Sequence, residues 1–317
     1  LDYDGQYGIE VLKHGLLIIE DSTITSYRMY NNYFFRAYRD SSLSIRNSIV
    51  EYAGFRRGRN GMDSGLWVET RNLRVKNTIF RHCWAGLFIL GHDPMITNIT
   101  VENCWYGIIA SSVDRLYMVG VHIVDCMYGI LIEDSSHIIA HADIEYCLYG
   151  IKIIRSDKVW VTHTSTHMCG YGVYVEGSTN ILGNNINVDG GLYGFIFHSA
   201  KNILLEGSAS RYCSMYGVLV YDATNVLFLG HISRDCENGV AVCYSKNVAF
   251  FGCIVRNNNG TGLYSCNSSR LYIDLCIIRN NLGYGILFSH VVGGIVENSI
   301  IRNNCLLYTS PSPRDRG

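Results

Sequence analysis

Proline is almost missing from this chain: three in 317 residues, two of them, Pro311 and Pro313, close to the end. Proline removes a backbone donor, so hydrogen-bond ladders meet little interruption before residue 311. Charge of one sign is not in excess either, since 26 Lys and Arg face 27 Asp and Glu for a net charge of −1. That balance gives no overall case for nucleic acid or an anionic membrane, and neither is expected as a partner. No apolar run reaches the length of a membrane-spanning helix. Helix-length amphipathic spacing is absent as well, which argues against βαβ units and leucine-rich repeats. The 12 cysteines include no C-x-x-C pair, so no metal site is expected from them.

What is present is a repeat. Eleven glycines from Gly65 to Gly285 follow one another at 21 to 23 residues, each opening an alternating apolar run such as Gly129-Ile-Leu-Ile or Gly172-Val-Tyr-Val. Such a period denotes stacked units rather than one globular core. A second apolar run follows about ten residues after each glycine and a third precedes the next, separated by turn formers such as Ser178-Thr179-Asn180. The spacing predicts an all-β chain: a right-handed, single-stranded parallel β-helix of about 13 rungs, 21–24 residues each, with three short strands per rung. Gly8 opens an early rung and Asn32 is expected to fill a glycine slot, on the argument that a turn entering a strand needs φ > 0. At about 4.8 Å per stacked strand the coil would measure roughly 60 Å.

The Tyr-Gly-Ile-x-Ile element at Tyr128 and the Ser199-Ala-Lys-Asn-Ile element resemble repeats of the pectin-lyase-like superfamily, and most closely the NosD-like family. The likeness spans residues 7 to 304. It implies the fold, and it leaves function open among lyases, hydrolases, epimerases, adhesins and binding modules. Signatures of polygalacturonases and of alginate epimerases are absent, and His and Met do not cluster as a copper site. No cofactor is expected, and calcium has no support in the sequence.

Residues 1–304 are expected to form one β-helix domain, a fragment cut at both ends. From Cys305 the repeat stops, and residues 305–317 resemble a translated sequencing adapter; they are expected to be a non-native tail. Of the remaining 11 cysteines, Cys83, Cys104, Cys126, Cys147, Cys169 and Cys236 stand three residues before a glycine, and Cys213 stands four before. They are expected to fill a tight corner as small, soft hydrophobes, free of disulfides, with Asn259 and Leu282 continuing the column. An extracytoplasmic or cell-surface location is expected, which free thiols partly oppose.

Equivalent positions stack, so departures from the repeat mark candidate sites. Two residues after each glycine, an outward stripe runs through Trp67, Leu131, Tyr174 and Tyr264 and is apolar except at Lys152; an exposed stripe of that length would need a cover or a partner. Tyrosines just before glycine form a second ladder, expected to stack on itself. Glu133, Asp134, Lys152, Arg155 and Glu176 come from three successive rungs. Glu133 and Glu176 share a column, roughly 9.6 Å apart by strand spacing, near the long end of the separation in inverting glycosidases. Glu133, Glu176 and Lys152 are therefore the candidate catalytic residues, with Asp134 and Arg155 as substrate contacts and His198 extending the cluster. Substrate contacts are also expected from Trp67 and Tyr174, and from Arg56, Arg57 and Arg59 on an insertion at 54–64, with Arg71 and Arg74 nearby.

These features point to a carbohydrate-recognising module, expected to be part of a polysaccharide-modifying protein of lyase, hydrolase or epimerase type. The alternative is a structural or adhesive surface protein whose stripe mates with another chain. An accessory role in metalloenzyme maturation is implied by the NosD-like resemblance alone.

Overall fold

The computed structural model describes residues 8–26, 32–54 and 65–305; these contain strands and turns and no helix. The insertion arginines Arg56, Arg57 and Arg59, and the tail from residue 306 onward, lie outside the described residues. The chain divides into two compact units, Leu1–Trp160 and Val161–Gly317.

In the first unit a front sheet stacks Gly8–Val11, Phe34–Ala37, Leu66–Val68, Ala85–Ile89, Tyr106–Ser111, Tyr128–Glu133 and Tyr149–Ile154, each parallel to the next. In the second unit the corresponding strands run from Tyr171–Glu176 to Ile286–Ser289, also in parallel register. Seven such strands in one unit and six in the other make thirteen turns of a parallel β-helix.

Inward positions are filled by β-branched and aromatic residues, and each stacks on its counterpart in the next turn: Ile108 pairs with Ile130 and Ile130 with Ile151, all with no exposed surface. This is how a chain without a globular centre acquires a core, since each turn is covered by its neighbours.

The second and third strands are separate in much of the second unit, as in Thr224–Leu229 and Ile232–Arg234. In the first unit they merge into runs such as Asn72–Arg81 and Asp114–Val124. The corner between them needs a single left-handed residue, such as Asn77 (φ 49°) or Gly120 (φ 65°), so hydrogen bonding continues across it.

The glycine repeat has a different cause from the expected one. Among its members Gly65 alone has a positive φ, 94°. Nine of the others are glycine because stacked turns approach too closely for a side chain. A Cβ on Gly172 would lie 2.7 Å from the Gly194 carbonyl oxygen and 2.5 Å from Val188 Cγ1; one on Gly262 would lie 2.7 Å from the Gly285 oxygen. The left-handed backbone falls instead at the corners, on Asn, Asp, His and a few larger residues. Nor does Asn32 fill a glycine slot: the register sets Phe34 opposite Gly8, and the Asn32 amide donates to the Gly54 carbonyl.

Cysteines do line one buried corner, each after a left-handed residue such as His82, Asn103 or Asp125. The column continues through Asn258, Asn281 and Asn304, not Asn259 and Leu282. The Cys213 amide donates to Cys236 Sγ (3.4 Å), that of Cys236 to Asn258 Oδ1 (3.0 Å) and that of Asn258 to Asn281 Oδ1 (3.1 Å). Each side chain thus accepts the corner N–H of the preceding turn, a demand that hydrophobicity alone does not meet. Hydrogen bonding with the Cys126 and Cys83 thiols, together with burial, pushes the Cys104 thiol well up. One expectation fails: Cys243 and Cys266, outside this column, stand opposite one another in successive turns and form a disulfide.

Candidate functional site

The front sheet of the first unit presents outward columns set by strand alternation. Trp67 lies between Leu66 and Val68, and Leu131 between Ile130 and Ile132; all four flanking residues are fully buried, which fixes Trp67 and Leu131 on the outer face. The apolar stripe is less exposed than its composition suggests. Trp67 retains 7% of its surface, Ile109 5% and, in the second unit, Ile196 6%, while Phe88, Leu131, Tyr174 and Tyr264 are half-buried. Trp67 stacks on Phe88 at 4.6 Å between ring centroids, and its indole N–H donates to Glu69 Oε1 at 3.3 Å.

Beside the stripe, the tyrosine ladder stacks as expected. Centroids lie 4.9 Å apart for Tyr106 and Tyr128 and 5.0 Å for Tyr128 and Tyr149, with interplanar angles of 12° and 4°. In the second unit Tyr171 stacks on Tyr193 at 5.4 Å. Lys152 Nζ lies 4.6 Å from the Tyr149 centroid and 5.7 Å from that of Tyr128, a cation–π arrangement that anchors the stripe's charged member on the ladder.

The charged cluster is in part self-satisfied. Arg155 Nη2 donates to Glu133 Oε1 at 2.5 Å and to Asp134 Oδ2 at 2.9 Å, and its Nε donates to Asp134 Oδ1 at 2.8 Å. Hydrogen bonding from Arg155 holds the Asp134 carboxyl below the usual carboxylate range, and the Asp134 and Glu133 hydrogen bonds in turn raise the guanidinium. Glu133, Asp134 and Arg155 are thus brought together on one another. Glu176 belongs to the second unit, at the end of Tyr171–Glu176, opposite His198 in the register.

A cleft of about 370 Å³ lies in the first unit, lined by Arg39, Glu69, Arg71, Leu90, His92 and Ser112. These residues come from the ends of four successive front strands, where the chain turns off the sheet. Glu69 joins the cleft to the Trp67–Phe88 stack, because its carboxylate accepts the Trp67 hydrogen bond while lining the cavity. Arg39 and Arg71 have no ion-pair partner among the described residues, unlike Arg36, which pairs with Glu10, and Arg46, which pairs with Glu20. Sequence reading placed Arg71 near a site but missed Arg39 and His92. Arg39 follows its front strand by two residues and His92 by three, so their shared place in the turns that leave the front sheet is the signal that could have found them. Among the described residues, no group of three or more His, Cys, Asp or Glu is placed to hold a metal ion.

A family model described as a right handed beta helix region matches residues 7–166, 107–207 and 166–312. Among solved structures, the periplasmic alginate epimerase AlgG is similar with a TM-score of 0.62 and 13% identity, over 91% of this chain and 77% of that one. The A-module of the Azotobacter vinelandii mannuronan C-5 epimerase AlgE6 is similar at 0.55 and 12%, over 86% and 91%. Tailspike protein 3 of bacteriophage CBA120 reaches 0.50 and 10%, over 98% and 57%. At these identities the likeness is one of fold. No curated protein matches the chain in sequence.

Proposed function

The chain belongs to the right-handed β-helix family, and from that premise we propose that it recognises carbohydrate, with an acidic sugar seated at the front face of the first unit. The observation that carries this reading is the junction of two chemistries through Glu69. A stacked aromatic pair, Trp67 and Phe88, adjoins a polar cleft with a histidine and two arginines that have no ion pair among the described residues. Sugar rings pack on aromatic faces, here on the half-buried Phe88 backed by the buried Trp67, and a planar guanidinium matches a carboxylate with two parallel hydrogen bonds. Similar folds that carry the names of polysaccharide epimerases agree with this reading. So does a location outside the cytoplasm, since the first of them is named periplasmic.

A catalytic role for Glu133, Lys152 and Glu176 has less support, because Arg155 holds Glu133 and the tyrosine ladder carries Lys152. The half-burial of the stripe also disfavours an adhesive surface that mates with another chain. The test is titration of a uronic-acid oligosaccharide into the wild type and Arg71→Gln. A hydrogen bond to a charged group contributes about 1.5–3 kcal/mol, so a loss of about tenfold or more in affinity is expected. Unchanged affinity would remove the cleft from the account.

A further inference from the structure

In the second unit one outward column of the third strand is arginine in five successive turns. Arg211 pairs in register with Arg234, Arg234 with Arg256, Arg256 with Arg279 and Arg279 with Arg302. The preceding residues, including Ser210, Ser233 and Ile278, are buried, so the arginines point outward. At about 4.8 Å per turn, five guanidinium stems occupy a straight line roughly 19 Å long. Like charges directly opposite on parallel neighbours are unfavourable, so such a column needs a reason.

Backbone geometry does not supply one. Each arginine carbonyl from Arg234 to Arg302 accepts the N–H of the left-handed corner residue one turn earlier, a role any residue fills. Nor does internal pairing account for the column. Arg234 donates to Asp235 at 2.5 Å, but Arg211, Arg256, Arg279 and Arg302 have no ion pair among the described residues. Asp189 heads the column opposite Arg211 without closing a salt bridge. The Nε atoms of Arg211 and Arg279 are buried and lack a hydrogen-bond partner. The same offset in the first unit behaves differently: Glu51, Arg81 and Glu102 alternate in sign, and Arg81 pairs with both carboxylates.

We propose that the Arg211–Arg302 ladder binds a linear polyanion lengthwise along the coil, and that this polyanion is an acidic glycan bearing carboxylate or sulfate groups. A straight row of charges at strand spacing suits an extended chain with one anionic group per sugar unit. It suits a duplex poorly, because duplex phosphates wind about an axis and recur every 3.4 Å or so per strand. Single-stranded nucleic acid calls for a row of stacking aromatics, and beside this column Tyr212 is the ring that approaches an arginine, at 5.8 Å from Arg234. The choice of a glycan rests on the carbohydrate reading above; the choice of a polyanion rests on the ladder alone.

The experiment is titration of a polyuronate, a neutral glucan and single-stranded DNA at several salt concentrations. The proteins are the wild type, the double variant Arg256→Gln/Arg279→Gln, and Arg71→Gln. Polyuronate should bind the wild type with a steep salt dependence. The double variant should lose about tenfold or more in affinity, with the slope of log K against log salt reduced by about 1.5–2. Its unliganded melting temperature should stay level or rise, which a merely structural role for the arginines would not give. Retained affinity and slope in the double variant would overturn the ladder site, and a matching loss in Arg71→Gln alone would then leave the front-face cleft standing. Loss in the double variant with none in Arg71→Gln would support the ladder and remove the cleft. Neutral glucan bound as tightly as polyuronate, or DNA bound more tightly, would overturn the assignment to an acidic glycan.

Discussion

His231 shows at the scale of one residue how the coil sets chemistry by position. It occupies an inward slot after the left-handed Gly230, equivalent to Cys253 one turn on, and its imidazole is enclosed by Phe195 and Phe228. Burial lowers its pKa to about 3, with a hydrogen bond to the Ser208 backbone acting the other way. The folded state therefore keeps this histidine neutral where the unfolded chain, near 6.5, would take up a proton. Its contribution to stability is fully present above pH 6.5 and is lost as pH falls toward 3. Between pH 6 and 5 the wild type should lose stability with a slope approaching about 1.4 kcal/mol per pH unit from this group. His231→Ser, the residue type at position 208 of the same column, should flatten that slope in urea melts, whatever it does to the absolute midpoint. Asp134, whose carboxyl is held low by Arg155, adds a separate loss below about pH 4 in both proteins. An unchanged slope between pH 6 and 5 would mean that another group titrates there.

At the scale of elements, corners rather than strands separate the two units' details. The Cys-to-Asn column satisfies a buried N–H at each turn, so its members are exchangeable for acceptors and not for hydrocarbons. Asn281→Leu would leave the Asn258 amide without its acceptor and should cost about 1–3 kcal/mol, whereas Asn281→Cys should cost less, because Cys236 accepts the same bond for Cys213. Chemical denaturation of both variants checks the order, and equal losses would contradict it. The repeat glycines obey close approach: Gly172→Ala should destabilise by about 2 kcal/mol or more, since neither the Gly194 carbonyl nor Val188 can withdraw without moving a turn. The strands were legible in the sequence because period-two alternation and period-22 spacing are both written in residue type. The corners were less so. Placing the cysteine successors at Asn259 and Leu282 followed from counting back from glycine, but the corner is measured from the left-handed residue, and the turns differ by one residue in length. The disulfide was not legible for a related reason, as Cys243 and Cys266 belong to a different column from the cysteines that precede the repeat glycines.

For the molecule as a whole, average charge conceals local order. A net charge of −1 argues against a polyanion, yet Arg211 to Arg302 recur at spacings of 22 and 23 residues and stack into one line. The repeat Ile-x-Arg-Asn-Asn at 254, 277 and 300 carried that signal openly; summing charge over the chain erased it. The front-face cleft was harder to read, because Arg39, Arg71 and His92 follow one another at 32 and 21 residues and meet only once the strand ends are stacked. Both candidate surfaces arise from the same principle, in which a coil turns a periodic residue into a line and an offset residue into a cluster.

The proposed function stands on acidic carbohydrate being held by the first unit's cleft beside the Trp67–Phe88 stack. Calorimetric titration of a uronic-acid oligosaccharide and its neutral counterpart into the wild type and Arg71→Gln tests it most directly. Saturable binding of the acidic oligosaccharide is expected, with weaker binding of the neutral one and a loss of about tenfold or more in Arg71→Gln at an unchanged melting temperature. Equal binding of the two oligosaccharides, or equal affinity in the wild type and the variant, would contradict it.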